Sequence, residues 1–316
     1  MSSASLPTPP LNLLQRTGFL GKEATPRSYH EVGASGRTLI DIMLPEDWSW
    51  QGKRVLDFGC GVGKVLRHFA HEAMIAEFTG CDIDAPSIDW LQRNLCPPFN
   101  AFRCSEDPSL PQPDGYFNLI YAISVYTHLT DHWADWLLEH HRVLAPDGLL
   151  LASFLGEGMI EPLIGEDWDE SRIGMNSLWA GKPWNDGGPI AFHSPWWLRA
   201  HWGRAFEIVR MVPHTGNESP EGHGLILLRR KPVHLSAEDL KRLEPGEERE
   251  IQALAHQAEQ LRRETQELRA ENAKLRASVP SRMAQAAYDG KEMIRQKIRS
   301  NGVPVWRRFR RHSHHR

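Results

Sequence analysis

Short apolar runs alternate with longer helix-like stretches over about residues 38–230, and this alternation is the strongest pattern in the chain. Runs of this length, rich in β-branched and aromatic side chains, predict strands, and their alternation with helices is typical of βα units that build a largely parallel sheet. We therefore expect an α/β fold with helices on both faces of the sheet. The predicted strands are 54–58, 78–82, 117–122, 149–154, 206–212 and 225–229. The clearest predicted helices are 62–76, 86–95, 131–144 and 195–204. Asp131 and Ser194 are the predicted N-caps of the last two.

A different pattern follows the sheet-forming region. Residues 247–279 contain neither Gly nor Pro, and apolar or small side chains recur there at alternating spacings of three and four. This heptad repeat predicts a long helix, ending before Pro280, that pairs with a second copy as a parallel coiled coil; a trimer is the alternative. Asn272 at a core position and the complementary charges of Glu264 and Arg269 favour the parallel homodimer. The repeat positions are Ile251, Leu254, Ala258, Leu261, Thr265, Leu268, Asn272, Leu275 and Val279.

These patterns divide the chain into five segments. The first is rich in Ser and Pro and is predicted to be disordered. A globular domain follows and carries one long insertion, and a short linker joins it to the coiled coil and to a final basic segment. The predicted boundaries are 1–27 for the lead-in, 28–232 for the domain with its insertion at 156–192, 233–246 for the linker, 247–279 for the coiled coil and 280–316 for the basic tail.

Charge is distributed unevenly along the chain. The formal net charge is −3, but residues 281–316 hold ten Lys or Arg against two acidic residues, a net +8, which leaves −11 for the rest. Arginines interleaved with Trp306 and Phe309 suit an anionic membrane surface. Nucleic acid or an acidic partner, and a merely solubilising tail, are the alternatives. A DNA-binding leucine zipper would carry its basic region before the heptads, where this chain is acidic and would repel DNA, which argues against nucleic acid.

Cysteine usage and hydropathy limit the cellular setting. The four cysteines, Cys60, Cys81, Cys96 and Cys104, include no C-x-x-C pair, so we expect neither a disulfide framework nor a metal site. This usage is typical of a reducing compartment, and we expect the cytoplasm. The apolar runs are strand-sized and far short of the roughly 20 residues that a membrane-spanning helix needs.

A glycine loop carries the first chemical signal. The sequence from Val55 to Gly63, VLDFGCGVG, runs from a predicted strand into glycines that allow a ligand to approach the backbone. It is not a phosphate-binding P-loop, because Phe58 stands at the first glycine position and Val65 follows Lys64 where Ser or Thr is needed. It is not a dinucleotide fingerprint either, because Lys64 occupies the position of the third glycine.

The remaining pattern, D-x-G-x-G-x-G, resembles the cofactor site of class I S-adenosylmethionine-dependent methyltransferases. Three further stretches match that family in order: GCDID at 80–84, DGYFNLIYAISVYTHL at 114–129 and LAPDGLL at 144–150. The resemblance covers about residues 29–231. The family has Asp where Asn118 stands, and a more regular acidic residue after its third strand. The resemblance implies a Rossmann-like sheet and S-adenosylmethionine as the cofactor.

The resemblance also implies which residues bind the cofactor. The family's first acidic residue and its glycines lie under the methionine part, and the acidic residue after strand two, here Asp82, binds the ribose hydroxyls. A carboxylate there accepts two hydroxyl hydrogen bonds and would repel a 2′-phosphate. The residues that we expect at the cofactor are Asp57, Gly59, Cys60, Gly61, Gly63, Asp82, Ile83, Ser105, Glu106 and Ala122.

Methyl transfer needs alignment of donor and acceptor, and a general base only when the acceptor is a hydroxyl or a similar group. His128, which follows the fourth strand of the resemblance, is the first candidate for this base, because histidine titrates near neutrality. The alternative is a helix cap or a local hydrogen bond. His193 is the second candidate, although a role at the entry of the next helix is an equally simple explanation.

The insertion holds the strongest clue to the acceptor. Six of the twelve tryptophans fall within residues 168–202, and aromatic faces suit a sugar or an aromatic acceptor. Packing against the sheet is the alternative for each one. A methyltransferase domain followed by a coiled coil and a basic end resembles the methyltransferases of bacterial surface-polysaccharide assembly. We therefore expect O-methylation of a glycan or sugar-like acceptor at the inner membrane face; a small natural product, a protein acceptor or a non-catalytic scaffold are the alternatives.

Overall fold

The computed structural model describes residues 6–16, 24–183, 187–214 and 222–300, and of residues 278–290 and 293–300 it describes the backbone only. Its contacts divide the chain into two compact units, the first ending at Gln260 and the second beginning at Leu261. The predicted boundary of the globular domain at residue 232 is therefore about 28 residues too early, because a predicted linker and the first turns of the long helix pack onto the domain.

A seven-stranded sheet forms the centre of the first unit. Its order is β3-β2-β1-β4-β5-β9-β8, in which β1 to β5 are parallel and β9 runs antiparallel to both of its neighbours. A separate hairpin, β6–β7, lies within the insertion. The strands are β1 Arg54–Phe58, β2 Glu77–Asp82, β3 Asn100–Arg103, β4 Phe117–Ala122, β5 Leu144–Phe154, β6 Met175–Leu178, β7 Ile190–His193, β8 Phe206–Val212 and β9 Gly224–Arg230.

Both faces of this sheet are buried, as the continuous apolar strands require. Leu56, Ile120 and Leu150 point into one hydrophobic core, whereas Val55 and Leu119 point into the other. The helices that cover the faces confirm the predicted α/β architecture. They are α1 Leu11–Leu14, α2 Pro26–Met43, α3 Ala85–Asn94, α4 Trp133–Val143, α5 Glu157–Ile164, α6 Pro195–Ala205, α7 Ala237–Lys241 and α8 Arg249–Ser300.

The predicted helix 62–76 is wrong. Two short 3-10 helices, Leu66–Phe69 and Glu72–Met74, occupy that segment. Gly61 and Gly63 adopt positive φ angles of 51° and 73°, which hold the chain outside the right-handed helical region at its start. Further along, the guanidinium of Arg37 donates to the carbonyl of His68 at 2.9 Å, so an external side chain takes the place of a helical N–H.

Of the two predicted helix caps, one is confirmed and the other is wrong. The hydroxyl of Ser194 accepts from the backbone N–H of Trp197 and caps α6, with Pro195 at the first helical position, as predicted. The predicted cap Asp131 is wrong, because α4 begins at Trp133 after an N-cap His132 whose side chain makes no capping hydrogen bond.

Two segments predicted as irregular are packed against the domain. In the lead-in, residues 6–16 and 24–27 are described, and Leu14 within α1 is fully buried; the predicted disorder of 1–5 and 17–23 lies outside the described residues. The predicted linker contains α7, capped by Ser236, and its Leu240 is fully buried in the core. Apolar residues at Leu13, Leu14 and Leu240 account for both corrections, since each can bury enough surface to order a short segment.

Helix α8 continues through Pro280 to Ser300, so the predicted end of the helix before this proline is wrong. Proline removes one backbone hydrogen bond and costs about 3 kcal/mol inside a helix. Good helix formers on both sides, such as the Ala-Gln-Ala-Ala run at 284–287, favour continuation. Among the described residues, no helix combines the length and the apolar character needed to cross a membrane.

Candidate functional site

The glycine loop turns sharply at the carboxyl end of β1. The N–H groups of Gly59 and Cys60 both donate to the carbonyl of Cys81, at 2.8 and 3.0 Å, which fastens the loop to β2. Gly59 has a φ of 78°, and a Cβ added there would lie 2.4 Å from Cγ2 of Val125. Glycine is therefore required at position 59 both for the backbone angle and for the close approach of the loop that follows β4.

Asp82 ends β2 and reaches the same loop. Its Oδ2 accepts from the N–H of Gly61 at 2.7 Å, and its Oδ1 accepts from the N–H of Asp84 at 2.8 Å. Burial raises the pKa of Asp82, while these two backbone hydrogen bonds oppose the rise. The carboxylate is thus held in place at the edge of the glycine loop.

Asp57 lies beneath the loop and is almost completely buried. Burial raises the pKa of Asp57 to about 8, and Tyr121 on β4 is its register partner in the sheet. Neither Oδ2 of Asp57 nor the hydroxyl of Tyr121 has a hydrogen-bond partner within the described part of the chain. An unpartnered buried carboxyl oxygen marks a place where a polar or cationic ligand group is favourable.

The remaining cofactor candidates lie around these two carboxylates. Cys60 is buried, and its Sγ is 3.5 Å from the carbonyl of Gly61. Ala122 ends β4 beside Asp57 and Tyr121, and Ile83 follows Asp82 directly. The N–H of Cys104 donates to the carbonyl of Asp82 at 3.1 Å, which brings the exposed pair Ser105 and Glu106 to the same edge. The structure therefore gathers all ten predicted residues at the carboxyl ends of β1 to β4.

The departure from the family pattern at Asn118 lies at the opposite end of the sheet. Its side-chain oxygen accepts from the N–H of Arg54 at 2.9 Å, near the amino ends of β1 and β4. This residue ties two strands together and does not approach the glycine loop. The absence of Asp at this position consequently leaves the site intact.

Sequence reasoning missed a covering segment over the glycine loop. The guanidinium of Arg16 forms a two-pronged ion pair with Asp84, with its Nη2 2.7 Å from Oδ1. Burial alone would raise the pKa of Asp84, but hydrogen bonds from Arg16 and Ser87 hold it below its usual value. Leu13 and Leu14 pack with Val62 of the loop. The paired leucines were the available signal, but their target lies some fifty residues away in sequence.

His128 lies in the turn after β4, close to the glycine loop. Its N–H donates to the carbonyl of Val125, the residue that packs against Gly59, at 2.9 Å. Its Nδ1 is 2.7 Å from the carbonyl of Pro189, and because a carbonyl only accepts, Nδ1 carries the hydrogen. The lone pair of the neutral ring is then on Nε2, as a general base requires.

His193 lies in the interior instead. Its side chain is fully buried between the rings of Trp197 and Trp202, and burial lowers its pKa to about 3. Neither ring nitrogen has a hydrogen-bond partner among the described residues. Because the ring is fully buried and its pKa is lowered, the structure does not support His193 as the base.

A second group of polar residues at the same edge has no counterpart in the sequence prediction. Ser124, which follows β4, has a positive φ of 59°, unusual for a residue other than glycine. Its N–H donates to Oγ of Ser153 on β5 at 2.7 Å, and Nδ1 of the buried His223 lies 3.3 Å from that oxygen. Strained backbone concentrates at functional sites, and this turn lies one residue from Val125.

The insertion covers this edge of the sheet. The N–H of Ala191 in β7 donates to the carbonyl of Thr127, and that of His193 donates to the carbonyl of Leu155, so the hairpin is joined to the ends of β4 and β5. Trp196, Trp197 and Trp202 are buried, whereas Trp168 and Trp179 are half-buried on the insertion; Trp184 lies outside the described residues. Trp168 and Trp179 pack partly against the hydrophobic core of the insertion, and the ring of Trp179 lies 5.0 Å from Nζ of Lys182.

The described residues contain no group of three or more His, Cys, Asp or Glu side chains that could hold a metal ion.

Comparison with known proteins identifies the class of this site. Residues 56–152 match the family model described as "Methyltransferase domain". This match confirms the predicted resemblance to class I S-adenosylmethionine-dependent methyltransferases, together with the Rossmann-like sheet and the cofactor that the resemblance implies. The matched segment contains both carboxylates, all three loop glycines and His128.

Two curated relatives match the same region. The chain is 32% identical over 100 residues to phthiotriol/phenolphthiotriol dimycocerosates methyltransferase 1 of Mycobacterium ulcerans, and 32% identical over 101 residues to a fatty-acid O-methyltransferase of Mycolicibacterium smegmatis. Each match covers 32% of this chain and 36% of the relative, so the chain spans about a third of the length of these proteins. A crystal structure of an S-adenosylmethionine-dependent methyltransferase from Mesorhizobium loti aligns with a TM-score of 0.45 and 19% identity, covering 63% of this chain and 99% of that one.

The residues present fit this cofactor. The glycines leave the loop backbone open, the carboxylate of Asp82 suits a pair of hydroxyl groups, and the unpartnered Oδ2 of Asp57 suits a cationic group. When bound, the cofactor supplies a methyl group on a sulfonium, a strong electrophile. Asp82, and Asp57 once it is ionised, would place negative charge beside that positively charged donor.

Proposed function

We propose that the protein is an O-methyltransferase in which His128 is the general base. The observation that carries this proposal is the hydrogen bond from Nδ1 of His128 to the carbonyl of Pro189 at 2.7 Å, which fixes the tautomer that leaves the lone pair on Nε2. The turn that holds His128 packs against Gly59 through Val125, so the base lies beside the loop that fits the cofactor.

The proposed reaction is an in-line displacement. An acceptor hydroxyl oxygen forms a bond to the methyl carbon as the bond from that carbon to sulfur breaks, and Nε2 of His128 takes the hydroxyl proton. The sulfur keeps the electron pair of the broken bond and becomes a neutral thioether. The protein contributes alignment of the two partners and the removal of one proton, which in other enzymes contributes about 10²- to 10⁴-fold in rate.

We propose a glycan or sugar-like acceptor. Support comes from the insertion, which is hydrogen-bonded to the edge of the sheet beside His128 and carries the half-buried rings of Trp168 and Trp179. Flat aromatic faces suit the C–H face of a sugar. A lipid-like acceptor is the second candidate, because the insertion has an apolar core that includes Met159 and Ile160, and because one relative is named a fatty-acid O-methyltransferase.

We also propose that the enzyme works at the cytoplasmic face of an anionic membrane. This part of the proposal rests on the sequence, since Trp306, Phe309 and the arginines around them lie outside the described residues. Basic groups near such a surface contribute about 1 kcal/mol each.

The test is a transfer assay with S-adenosylmethionine labelled in its methyl group. Purified protein is incubated with sugars and oligosaccharides, with fatty acids and hydroxylated lipids, and with no acceptor. Label on a sugar hydroxyl supports the full proposal. Label on lipids alone would show that the acceptor is a lipid and not a sugar. Cofactor binding without transfer to any acceptor would support a non-catalytic scaffold.

Replacing His128 by glutamine should lower kcat by at least about 100-fold, because the side chain then lacks a basic nitrogen. Affinity for the cofactor should stay within about twofold. The pH–rate profile of the unsubstituted enzyme should fall on its acidic side where His128 becomes protonated, and the variant should lose this limb. His132→Gln is the matched control, since His132 is exposed four residues away. Equal activity of both variants would remove His128 from the mechanism.

Cofactor binding should release a proton from Asp57. In the free protein, the pKa of about 8 keeps this carboxyl protonated at neutral pH, and a cationic ligand beside it favours the ionised form. Affinity should therefore rise with pH, by up to about tenfold per unit below the free pKa of about 8, and level off above it. Calorimetric titration in buffers of different ionisation enthalpy measures the proton directly. Asp57→Asn should abolish the release; an unchanged release would assign it to another group.

A further inference from the structure

We infer that the exposed leucine stripe of α8 binds a second copy of this chain, in parallel, as a two-stranded coiled coil. The leucine stripe comprises Ile251, Leu254, Leu261, Leu268 and Leu275. This inference concerns assembly and does not depend on the proposed methyl transfer. This inference rests on the exposure of the apolar side chains at positions a and d of α8 and on the charged side chains that flank them.

The domain holds the first three turns of α8 by a polar face. Oε1 of Glu250 lies 2.9 Å from Nε2 of the buried His201, and the side chain of Gln257 accepts from the N–H of Ser177 and donates to its carbonyl, at 2.7 and 2.8 Å. Ala253, between these two positions, is buried in the core. In the heptad repeat Glu250 and Gln257 are at position g and Ala253 is at position c, so the domain contacts one flank of α8 and leaves the apolar side chains at positions a and d exposed.

The leucine stripe itself remains uncovered. Its five side chains are between 41% exposed, at Leu261, and 63% exposed, at Ile251. They occur at positions a and d of one unbroken heptad repeat, with Asn272 also at a. An apolar row of this length in water favours a partner with the same spacing, because knobs-into-holes packing buries it completely.

The flanking charges select a second copy and its direction. In a parallel pair, the g residues of one chain face the e residues of the other, which places Glu264 opposite Arg269 and Glu271 opposite Arg276. In an antiparallel pair, g would face g and e would face e, so that glutamates meet glutamates and arginines meet arginines. Asn272 at position a further favours two strands in one register.

Light scattering of the full chain tests the stoichiometry. The expected mass is twice the 36.0 kDa of one chain, and a single-chain or threefold mass would overturn the inference. Leu261→Asp with Leu268→Asp should give the single-chain mass. Ala270→Asp with Ala273→Asp is the matched control, because these positions lie off the leucine stripe. Replacing alanine by aspartate lowers helix propensity at least as much as replacing leucine by aspartate. The control should remain a dimer; dissociation of both variants alike would contradict pairing through the stripe.

Oxidative cross-linking tests the direction. Leu275→Cys should form a disulfide-linked dimer in high yield under mild oxidation, because equivalent d positions meet only in a parallel pair. The unsubstituted chain, whose four cysteines all lie between Cys60 and Cys104 in the domain, is the control and should not cross-link. A dimer by mass that fails to cross-link through Cys at position 275 would overturn the parallel arrangement.

Discussion

Alanine at position 82 should weaken binding of S-adenosylmethionine and S-adenosylhomocysteine by at least about 100-fold. Hydrogen bonds to a charged group contribute about 1.5–3 kcal/mol each. Two ribose hydroxyls would each donate one such bond to Asp82, and the loss of both corresponds to a loss of affinity of about 100-fold or more. Asp82 also accepts from the N–H of Gly61 at 2.7 Å, so its removal loosens the glycine loop as well. Calorimetric titration of both ligands measures the loss.

Two further variants separate ligand binding from support of the loop. Asp82→Asn keeps an oxygen that can accept from the N–H of Gly61, but its amide NH₂ cannot accept from the N–H of Asp84, so its loss of affinity should lie between those of the native protein and Asp82→Ala. Asp89→Ala, an exposed carboxylate on α3, should bind normally. Unchanged affinity in Asp82→Ala, in protein that unfolds at its normal temperature, would show that another residue holds the ribose.

The sheet, and the position of the candidate cofactor residues at one edge of it, could be predicted because their signals are local. The strands 54–58, 117–122 and 206–212 are correct to the residue, since apolar runs bounded by turn residues define buried strands directly. The glycines and Asp82 end neighbouring parallel strands, and such strands bring their carboxyl ends to one edge of the sheet. No residue of the cofactor set had to be found through a distant contact.

The missed features depend on contacts between segments far apart in sequence. Arg16 meets Asp84 only when α1 folds over the glycine loop, and nothing near Arg16 in the sequence indicates a carboxylate partner. The burial of His193 follows from the packing of Trp197 and Trp202, two of the six tryptophans for which the sequence left both acceptor contact and core packing open. Aromatic residues serve cores and ligand surfaces equally well, so composition alone does not separate the two.

The same dependence on packing explains the error at residues 62–76. The predicted helix follows from the apolar spacing of Leu66, Phe69 and Ala70, which are indeed buried. The spacing of buried residues in two successive 3-10 turns resembles that of an α-helix over so short a segment. The choice between an α-helix and 3-10 turns depends on α2, which lies against this segment. Arg37 of α2 donates a hydrogen bond to the carbonyl of His68.

Helix α2 packs closely against the glycine loop at Gly33. Gly33, in the middle of α2, lies so close to the loop that an added Cβ would be 2.1 Å from the backbone carbonyl oxygen of Lys64 and 2.8 Å from Nε2 of His68. A backbone oxygen has no rotamer that would relieve this clash. Alanine at position 33 must therefore displace the helix or the loop.

Gly33→Ala should lower the free energy of unfolding by about 1–3 kcal/mol or more, the usual cost of overpacking, despite the higher helix propensity of alanine. It should also weaken cofactor binding, because Tyr29 of the same helix donates to the carbonyl of Val62 within the loop at 3.0 Å. Denaturant unfolding with and without S-adenosylhomocysteine measures both effects.

Gly203 in α6 supplies the matched control for this prediction. A Cβ added there meets nothing within 4 Å, so Gly203→Ala should leave ligand binding unchanged and raise stability by up to about 0.5–1 kcal/mol through helix propensity alone. Opposite signs for two glycine-to-alanine changes, both within helices, would show that the packing of α2 on the loop governs the first. A stabilised Gly33→Ala protein with normal affinity would contradict the close approach, and with it the role of α2 in shaping the cofactor site.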